Sequence, residues 1–254
     1  MKSGYSFTIG SFQSTALNQV ASNQVSYFID SETGLMVFYG NGEYEEYICW
    51  DSCYSWYSSG SKIKHVIFEK GVTKVDERSF YNGNENYPNI KNVRIGNSVT
   101  IIGEKAFQYC SSVTSITIGN SVTTIGNSAF CLCTSLTSVT MPTRITTIGD
   151  SAFNSCSSLI TVTIPSGVTS IGESAFRSCS SLTSITIPSS VTSIGDFSFS
   201  QCTSLTNVVF EGTKNPTTCY SDSFYNCPST MSVSFPNGYC STTFCEKEVT
   251  PTKC

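Results

Sequence analysis

The chain has 254 residues, a net charge of −4 and 13% charged residues, about half of the share usual in soluble proteins. Serine and threonine together number 75, whereas histidine occurs once, at His65. The absence of a Lys/Arg run argues against nucleic acid or an anionic membrane as the main partner. No apolar run is long enough for membrane insertion, and the N-terminal MKSGYSFTIGSFQ lacks the hydrophobic core of a signal peptide.

Residues 1–62 show no internal repeat, whereas the chain from Ile63 onwards repeats with a period of 23 residues. Gap-free copies begin at Ile90, Val113, Leu136, Leu159 and Leu182. Looser copies begin at Ile63 and Leu205, and a partial copy begins at Thr230. The sequence therefore predicts seven repeats over residues 63–229 and a terminal strand with a C-terminal cap over residues 230–254.

The first half of each repeat predicts two extended segments. Positions 1, 4 and 6 are apolar, as in Leu136, Val139 and Met141, and this alternation predicts a short strand. Pro or Gly at position 7 ends that strand. Apolar side chains at positions 10 and 13, as in Val168 and Ile171, predict a second inward-facing segment.

The second half of each repeat predicts a corner. Glycine at position 14 indicates a positive φ or a close approach of two backbones. Position 15 is mostly Glu, Asp or Asn and would cap a helical corner of one or two turns, formed by the S-A-F that follows. Position 18 is phenylalanine, at Phe80, Phe107, Phe130, Phe153, Phe176, Phe199 and Phe224. Position 21 is cysteine, at Cys110, Cys133, Cys156, Cys179, Cys202 and Cys227.

Stacking of the repeats is required because no single repeat can bury its five or six apolar side chains alone. At the spacing of neighbouring strands, about 4.8 Å, seven repeats would form a body roughly 34 Å long. We therefore expect a Phe column, made of the position-18 side chains, beside a Cys column, made of the position-21 side chains.

The pattern L-x-x-I-x-I-P-x-x-V-x-x-I-G-x-x-A-F-x-x-C resembles the BspA-like branch of the leucine-rich repeats, over residues 63–235. The resemblance implies a right-handed leucine-rich-repeat solenoid with 23-residue units, a curved parallel β-sheet, short helical corners and caps at both ends. Residues 24–62 resemble the β-hairpin cap of such proteins, so we take 1–62 as an N-terminal cap module, with 1–23 unassigned. The family implies surface or secreted adhesion proteins of bacteria and of parasitic or commensal protists; a cytoplasmic location is the alternative.

The 13 cysteines are the six of the Cys column and seven others, one of which, Cys219, has no predicted role. The Cys column is expected to hold small buried thiols that pack beside phenylalanine, and Cys131 adds one thiol next to it. Outside the column, Cys49 and Cys53 could pair across the N-terminal cap, and Cys240, Cys245 and Cys254 could form a C-terminal staple. Zinc is the alternative for these cap cysteines, but C-x-x-C pairs and histidine ligands are missing.

Other candidate sites have simpler interpretations, and we predict no catalytic residue, no cofactor and no metal. One carboxylate per repeat at position 15 does not gather the six to eight oxygens that calcium requires. Glu43, Glu45 and Glu46 could supply a glycosidase carboxylate pair, but a solvated loop is the better interpretation. His65 is expected to face outward as a structural or solvated side chain.

The strongest candidate surface is the hydroxyl-rich outer side of the first strand. We call it the recognition face, at Asn92, Arg94, Ser115, Thr117, Ser138, Thr140, Thr161, Thr163, Ser184, Thr186 and Asn207. Val209 and the aromatic cap residues Trp50, Tyr54, Trp56 and Tyr57 could anchor a partner or belong to the core.

Three interpretations of the recognition face stay open. It could bind a host, cell-surface or matrix protein in adhesion, serve an intracellular scaffold of the same fold, or bind ice through its threonine ranks. Tolerance of Ser and Thr on an exposed strand would explain the composition equally well. The first interpretation, non-catalytic recognition, is the predicted function.

Overall fold

The computed structural model describes residues 18–19, 25–30, 32–42, 61–81, 89–239, 241 and 243–248. Its first strands, numbered in chain order, are β1 (Asn18–Gln19), β2 (Val25–Asp30) and β3 (Leu35–Gly40). β1 and β3 both pair antiparallel with β2. The turn between β2 and β3 forms because the Asp30 carboxylate accepts the Thr33 hydroxyl at 2.6 Å and Gly34 adopts a φ of 74°.

Each of the first six repeats contributes two short strands, and the seventh contributes one. The first set is β4 (His65–Phe68), β6 (Asn92–Ile95), β8 (Ser115–Thr117), β10 (Ser138–Thr140), β12 (Thr161–Thr163), β14 (Ser184–Ile187) and β16 (Asn207–Phe210), followed by β17 (Ser232–Ser234). The second set is β5 (Lys74–Val75), β7 (Ile101–Ile102), β9 (Thr124–Ile125), β11 (Thr147–Ile148), β13 (Ser170–Ile171) and β15 (Ser193–Ile194). β18 (Thr243–Phe244) and β19 (Lys247–Glu248) form a final antiparallel pair.

The two sets form separate parallel sheets, which confirms a β-solenoid of about seven turns. The first set continues the N-terminal hairpin in the order β1-β2-β3-β4-β6-β8-β10-β12, and β14-β16-β17 follow as a second block. The second set forms one six-stranded sheet. Register advances by one repeat per strand, so Val139 lies opposite Ile116 on one side and Val162 on the other.

The core lies between the two sheets and extends from the hairpin to the C-terminal segment. Positions 4, 6, 10 and 13 point inward from both sheets, and their apolar side chains join one buried cluster with the Phe column. Val139 is 4% exposed, whereas its neighbours Ser138 and Thr140 are exposed. Each fully buried aliphatic or aromatic side chain contributes about 1.5–3 kcal/mol, which a single repeat could not gain alone.

The predicted helical corners are wrong for the first six repeats. Positions 15–20 form consecutive turns, and the residues at positions 16 and 20 have positive φ although none is glycine. The position-16 examples are Arg78, Lys105, Ser128, Ser151, Ser174 and Phe197. The position-20 examples are Tyr109, Leu132, Ser155, Ser178, Gln201 and Asn226. Residues 61–62 and Ser221–Phe224 are 3₁₀ helical, and no α-helix occurs in the described ranges.

Hydrogen bonding between repeats explains why these corners are not helical. Backbone N–H groups at positions 16, 18 and 20 donate to carbonyls of the next repeat, as in Ser151 to Glu173 (2.7 Å), Phe153 to Ala175 (2.8 Å) and Ser155 to Arg177 (2.7 Å). An α-helix would need the same N–H groups for bonds within its own turn. The corners therefore form a third inter-repeat hydrogen-bond ladder.

The glycines at position 14 are required by close backbone approach, which resolves the two alternatives left by the sequence. None of Gly103, Gly126, Gly149, Gly172 and Gly195 has a positive φ. A Cβ at Gly172 would lie 2.6 Å from the backbone nitrogen of Asp150 in the preceding repeat. Any larger residue would push adjacent repeats apart.

The C-terminal segment closes the core with aromatic side chains and a disulfide. The Phe244 ring lies 5.0 Å from Phe210 and 6.1 Å from Phe224. Cys245 is bonded to Cys219 and not, as the sequence suggested, to Cys240 or Cys254. Cys49, Cys53, Cys240 and Cys254 lie outside the described residues, and the two caps and their boundaries stay predictions. None of the helices in the described part of the chain could cross a bilayer.

Candidate recognition surface

All eleven residues of the recognition face lie on one exposed side of the first sheet. They form two rows, because position 3 and position 5 of a strand point to the same side. Register places Thr140 between Thr117 and Thr163 in one row, and the same holds for position 3 in the other. Regular strand pairing is interrupted between β12 and β14. The two strands remain neighbours, because the Thr183 N–H donates to Ile160 O at 3.5 Å.

Several hydroxyl groups at positions 11 and 22 of the repeats are bonded within the protein. At position 11, the Thr123 hydroxyl donates to Thr100 O at 3.2 Å and the Thr169 hydroxyl donates to Thr146 O at 3.2 Å. At position 22, the Ser180 hydroxyl donates to Ser157 O of the preceding repeat at 3.3 Å. Much of the serine and threonine content therefore strengthens the stacking of repeats.

The hydroxyls of the recognition face differ from these groups. From Ser115 to Thr186, no side chain of the face has a hydrogen bond to another residue that the structure describes. A hydroxyl can donate one hydrogen bond and accept two. The face therefore presents a double row of bonding groups to solvent, with uncharged side chains in its central part.

The N-terminal end of the face differs in chemistry. Asn92 Nδ2 lies 2.9 Å from Nδ1 of His65. This contact joins the first two repeats at the N-terminal end of the face. His65 is thus half-buried and positions Asn92, in keeping with a structural role.

Sequence reasoning missed a cluster of cations at this end. Lys62, Lys64, Lys91 and Arg94 are exposed on or beside β4 and β6. Lys64 and Lys91 are 27 positions apart, and the register between the first two repeats makes them direct neighbours. Position 2 is lysine in both repeats, and this was the available signal.

The Phe and Cys columns form the core beside the sheets and are confirmed by the structure. Consecutive Phe rings from Phe80 to Phe224 are stacked with centroids 5.2–5.5 Å apart. Each column thiol donates to the carbonyl of the phenylalanine one repeat earlier, as in Cys156 Sγ to Phe130 O at 3.2 Å. Burial raises the pKa of the Cys156 thiol well above its ordinary value, so the thiolate needed for chemistry does not form.

The position-15 side chains join neighbouring repeats and do not cap helices. Asn127 Oδ1 accepts the Asp150 N–H at 2.9 Å, and Asp150 Oδ1 accepts the Glu173 N–H at 2.8 Å. In the described ranges, no three His, Cys, Asp or Glu side chains gather as a metal site. Glu43, Glu45 and Glu46 lie outside the described residues.

Of the residues predicted to anchor a partner, only Val209 lies in the described part of the chain. Val209 is half-buried on β16, where it pairs with Thr186. Trp50, Tyr54, Trp56 and Tyr57 lie outside the described residues, so their role stays a prediction.

Comparison with known proteins identifies the repeat. Six copies of a BspA type leucine rich repeat region match residues 83–205 and 169–246, which is more than half of the chain. The chain belongs to the BspA-type leucine-rich repeat family. This family indicates a protein-binding or surface-recognition role, and its repeats are generally non-catalytic. No curated protein matches the chain.

Three solved structures are similar to this leucine-rich repeat protein. A leucine-rich cell surface protein of Faecalibacterium prausnitzii has 28% identity and a TM-score of 0.55, over 78% of this chain and 55% of that one. The chain thus spans about half the length of that relative. Leucine-rich repeat proteins of T. pallidum (24% identity, TM-score 0.56, 82% and 90% covered) and Eubacterium ventriosum (19%, 0.50, 88% and 79%) share the fold.

Proposed function

We propose that this protein is a non-catalytic adhesion module that binds a host, cell-surface or matrix protein through the recognition face. The observation that carries the proposal is the double row of exposed hydroxyls on one side of the first sheet, none of which, from Ser115 to Thr186, has a hydrogen bond to another described residue. The hydroxyls of Thr123, Thr169 and Ser180 are used inside the solenoid, whereas those of Thr140 and Thr163 are not. A rigid row of free bonding groups loses little conformational entropy when it binds a partner.

An extracellular location fits this proposal. The Cys219–Cys245 disulfide is typical of proteins that reside in an oxidising compartment. A scaffold inside a reducing cell would carry these two residues as thiols. Mass spectrometry of the native protein, alkylated before denaturation, distinguishes the two locations: a reduced Cys219 would contradict a surface location.

The binding test uses a double substitution at the centre of the face. Thr140→Lys and Thr163→Lys place two ammonium groups on directly paired positions of β10 and β12. We expect the wild-type protein to bind at least one of immobilised collagen, fibronectin, laminin and fibrinogen, measured by surface plasmon resonance. The double variant should bind that protein at least tenfold more weakly, about 1.4 kcal/mol, because the charges would be desolvated without partners.

A matched control is available on the second sheet. Thr124→Lys and Thr147→Lys introduce the same charges on paired, exposed positions of β9 and β11. This control variant should bind as the wild type does. Equal loss in both variants, retention of binding by the Thr140 and Thr163 variant, or no binding to any of the four proteins would contradict the proposal.

A further inference from the structure

Four cations crowd the N-terminal end of the recognition face. Lys62 and Lys64 lie beside and at the start of β4, and Lys91 precedes β6, where its N–H donates to Lys64 O at 2.8 Å. Arg94 follows on β6, two residues beyond Asn92 on the same exposed side. Paired strands lie about 4.8 Å apart, so the lysine side chains of adjacent strands are direct neighbours.

This arrangement of like charges is unfavourable in the isolated protein. Like charges on directly opposed positions of a sheet destabilise it. None of the four cations forms an ion pair with a residue that the structure describes; the ion pairs there are Lys74–Asp76, Arg78–Glu77 and Lys105–Glu104. The nearby Asp30 carboxylate is engaged by the Thr33 hydroxyl and by the N–H of Glu32, and these bonds lower its pKa.

The neighbouring hairpin makes room for this cluster. Gly34 has a φ of 74°, and a Cβ there would lie 2.9 Å from Lys64 Cγ and 2.5 Å from Lys62 O. The stem of Lys64 therefore passes directly over Gly34. The lysine is held against the turn between β2 and β3, just before the start of β4, while its side chain remains exposed.

Beyond the cations, the face offers neutral hydrogen-bonding groups. Asn92, Ser115 and Thr117 continue both rows away from Arg94 and carry no charge. Single-stranded nucleic acid would require aromatic side chains for base stacking, which these positions lack.

We infer that this end of the face binds an acidic polysaccharide of the sulfated glycosaminoglycan class. The four cations match the sulfate and carboxylate groups, and the hydroxyl and amide side chains match the sugar hydroxyls. The inference deepens the proposed function and rests on it, since both use the same sheet face. It adds a second class of ligand at one end of that face.

The test measures binding of a fluorescein-labelled heparin oligosaccharide by anisotropy over a series of salt concentrations. Lys64→Gln with Lys91→Gln removes two charges from the cluster. The affinity should fall roughly 20- to 30-fold, the strength of two basic residues at an anionic surface. The slope of log affinity against log salt should become shallower by about two.

The control removes two charges elsewhere. Lys70→Gln with Lys214→Gln gives the same net charge at exposed positions outside the cluster and should leave heparin affinity within twofold. Polyglutamate and duplex DNA, added as competitors, should displace heparin at least tenfold less effectively than unlabelled heparin does. No heparin binding, equal loss in both variants, or equal competition by either polyanion would overturn the inference.

The heparin and matrix-protein experiments distinguish failure of the polysaccharide inference from failure of the protein-adhesion proposal. If heparin binding is absent while matrix-protein binding persists and depends on Thr140 and Thr163, only the polysaccharide inference fails. If heparin binding depends on Lys64 and Lys91 while matrix proteins do not bind, the protein-adhesion proposal fails and the face recognises polysaccharide alone.

Discussion

Substitution of Phe153 by alanine tests whether the Phe column supports the solenoid. The ring is fully buried and stacks on Phe130 at 5.4 Å and on Phe176 at 5.5 Å. Truncation of a buried phenylalanine costs about 3–5 kcal/mol, and each aromatic pair accounts for roughly 0.5–1.5 kcal/mol beyond burial. Because Phe153 belongs to two stacked pairs, we expect the upper half of the range. Phe153→Leu keeps most of the apolar area and should cost about 1–3 kcal/mol.

The free energy of unfolding would be measured by urea denaturation, followed by far-ultraviolet circular dichroism. With a slope of about 3 kcal/mol per molar urea, Phe153→Ala should lower the midpoint by roughly 1.3–1.7 M. Thr147→Ala, an exposed change in the same repeat, should stay within about 0.5 kcal/mol of the wild type. A loss below about 1 kcal/mol for Phe153→Ala would refute the view that the column bears the stability of the stack.

Three further predictions concern the thiols, the position-15 side chains and the disulfide. Thiols of the unfolded chain lose their protons near pH 9, whereas the raised pKa of Cys156 keeps this thiol neutral in the folded protein. The free energy of unfolding should therefore fall as the pH rises above 9. Cys156→Ala should make this fall shallower by about 1.4 kcal/mol per pH unit. Asp150→Ala should cost about 1 kcal/mol in thermal unfolding, because it removes the acceptor of the Glu173 N–H, while Asp150→Asn keeps that acceptor. Replacing both Cys219 and Cys245 by serine should lower the free energy of unfolding, measured by calorimetry, by about 3.5 kcal/mol. This value is the loop-closure entropy for two residues 26 positions apart.

Each of these predictions has a result that would contradict it. Stability that stays constant from pH 8 to pH 10 would show that the column thiols ionise as freely in the folded protein as in the unfolded chain. Equal losses for Asp150→Ala and Asp150→Asn would assign the effect to charge and not to the hydrogen bond. An unchanged unfolding temperature after loss of the bridge would mean that Phe244 packing alone holds the C-terminal segment.

The strands were predictable because their signals are local. Alternation around Val139 and the β-branched side chains specify which side of each strand is buried, and the 23-residue period sets the register. Two rows of hydroxyls on one face follow directly from these facts. The buried position of Cys156 was equally accessible, since it recurs in step with the Phe column.

The corners were not predictable from the same local rules. Ser151 and Ser155 adopt positive φ without being glycine or asparagine, so sequence gives no sign of the turns. Contacts with the next repeat impose this conformation, and such contacts exist only in the stack. The Cys219–Cys245 bridge depends likewise on spacing through an irregular repeat, where insertions hide the register.

The inter-repeat ladders give this protein an adjustable length. Since the bonds of Phe153 and of Asp150 reach only the adjacent repeat, an inserted or duplicated block of 23 residues would meet the same partners on both sides. Each such block would lengthen the molecule by about 4.8 Å and leave its two ends unaltered. Duplication or loss of the corresponding gene segments would therefore change the length of the solenoid in related proteins, while the contacts between neighbouring repeats stay the same.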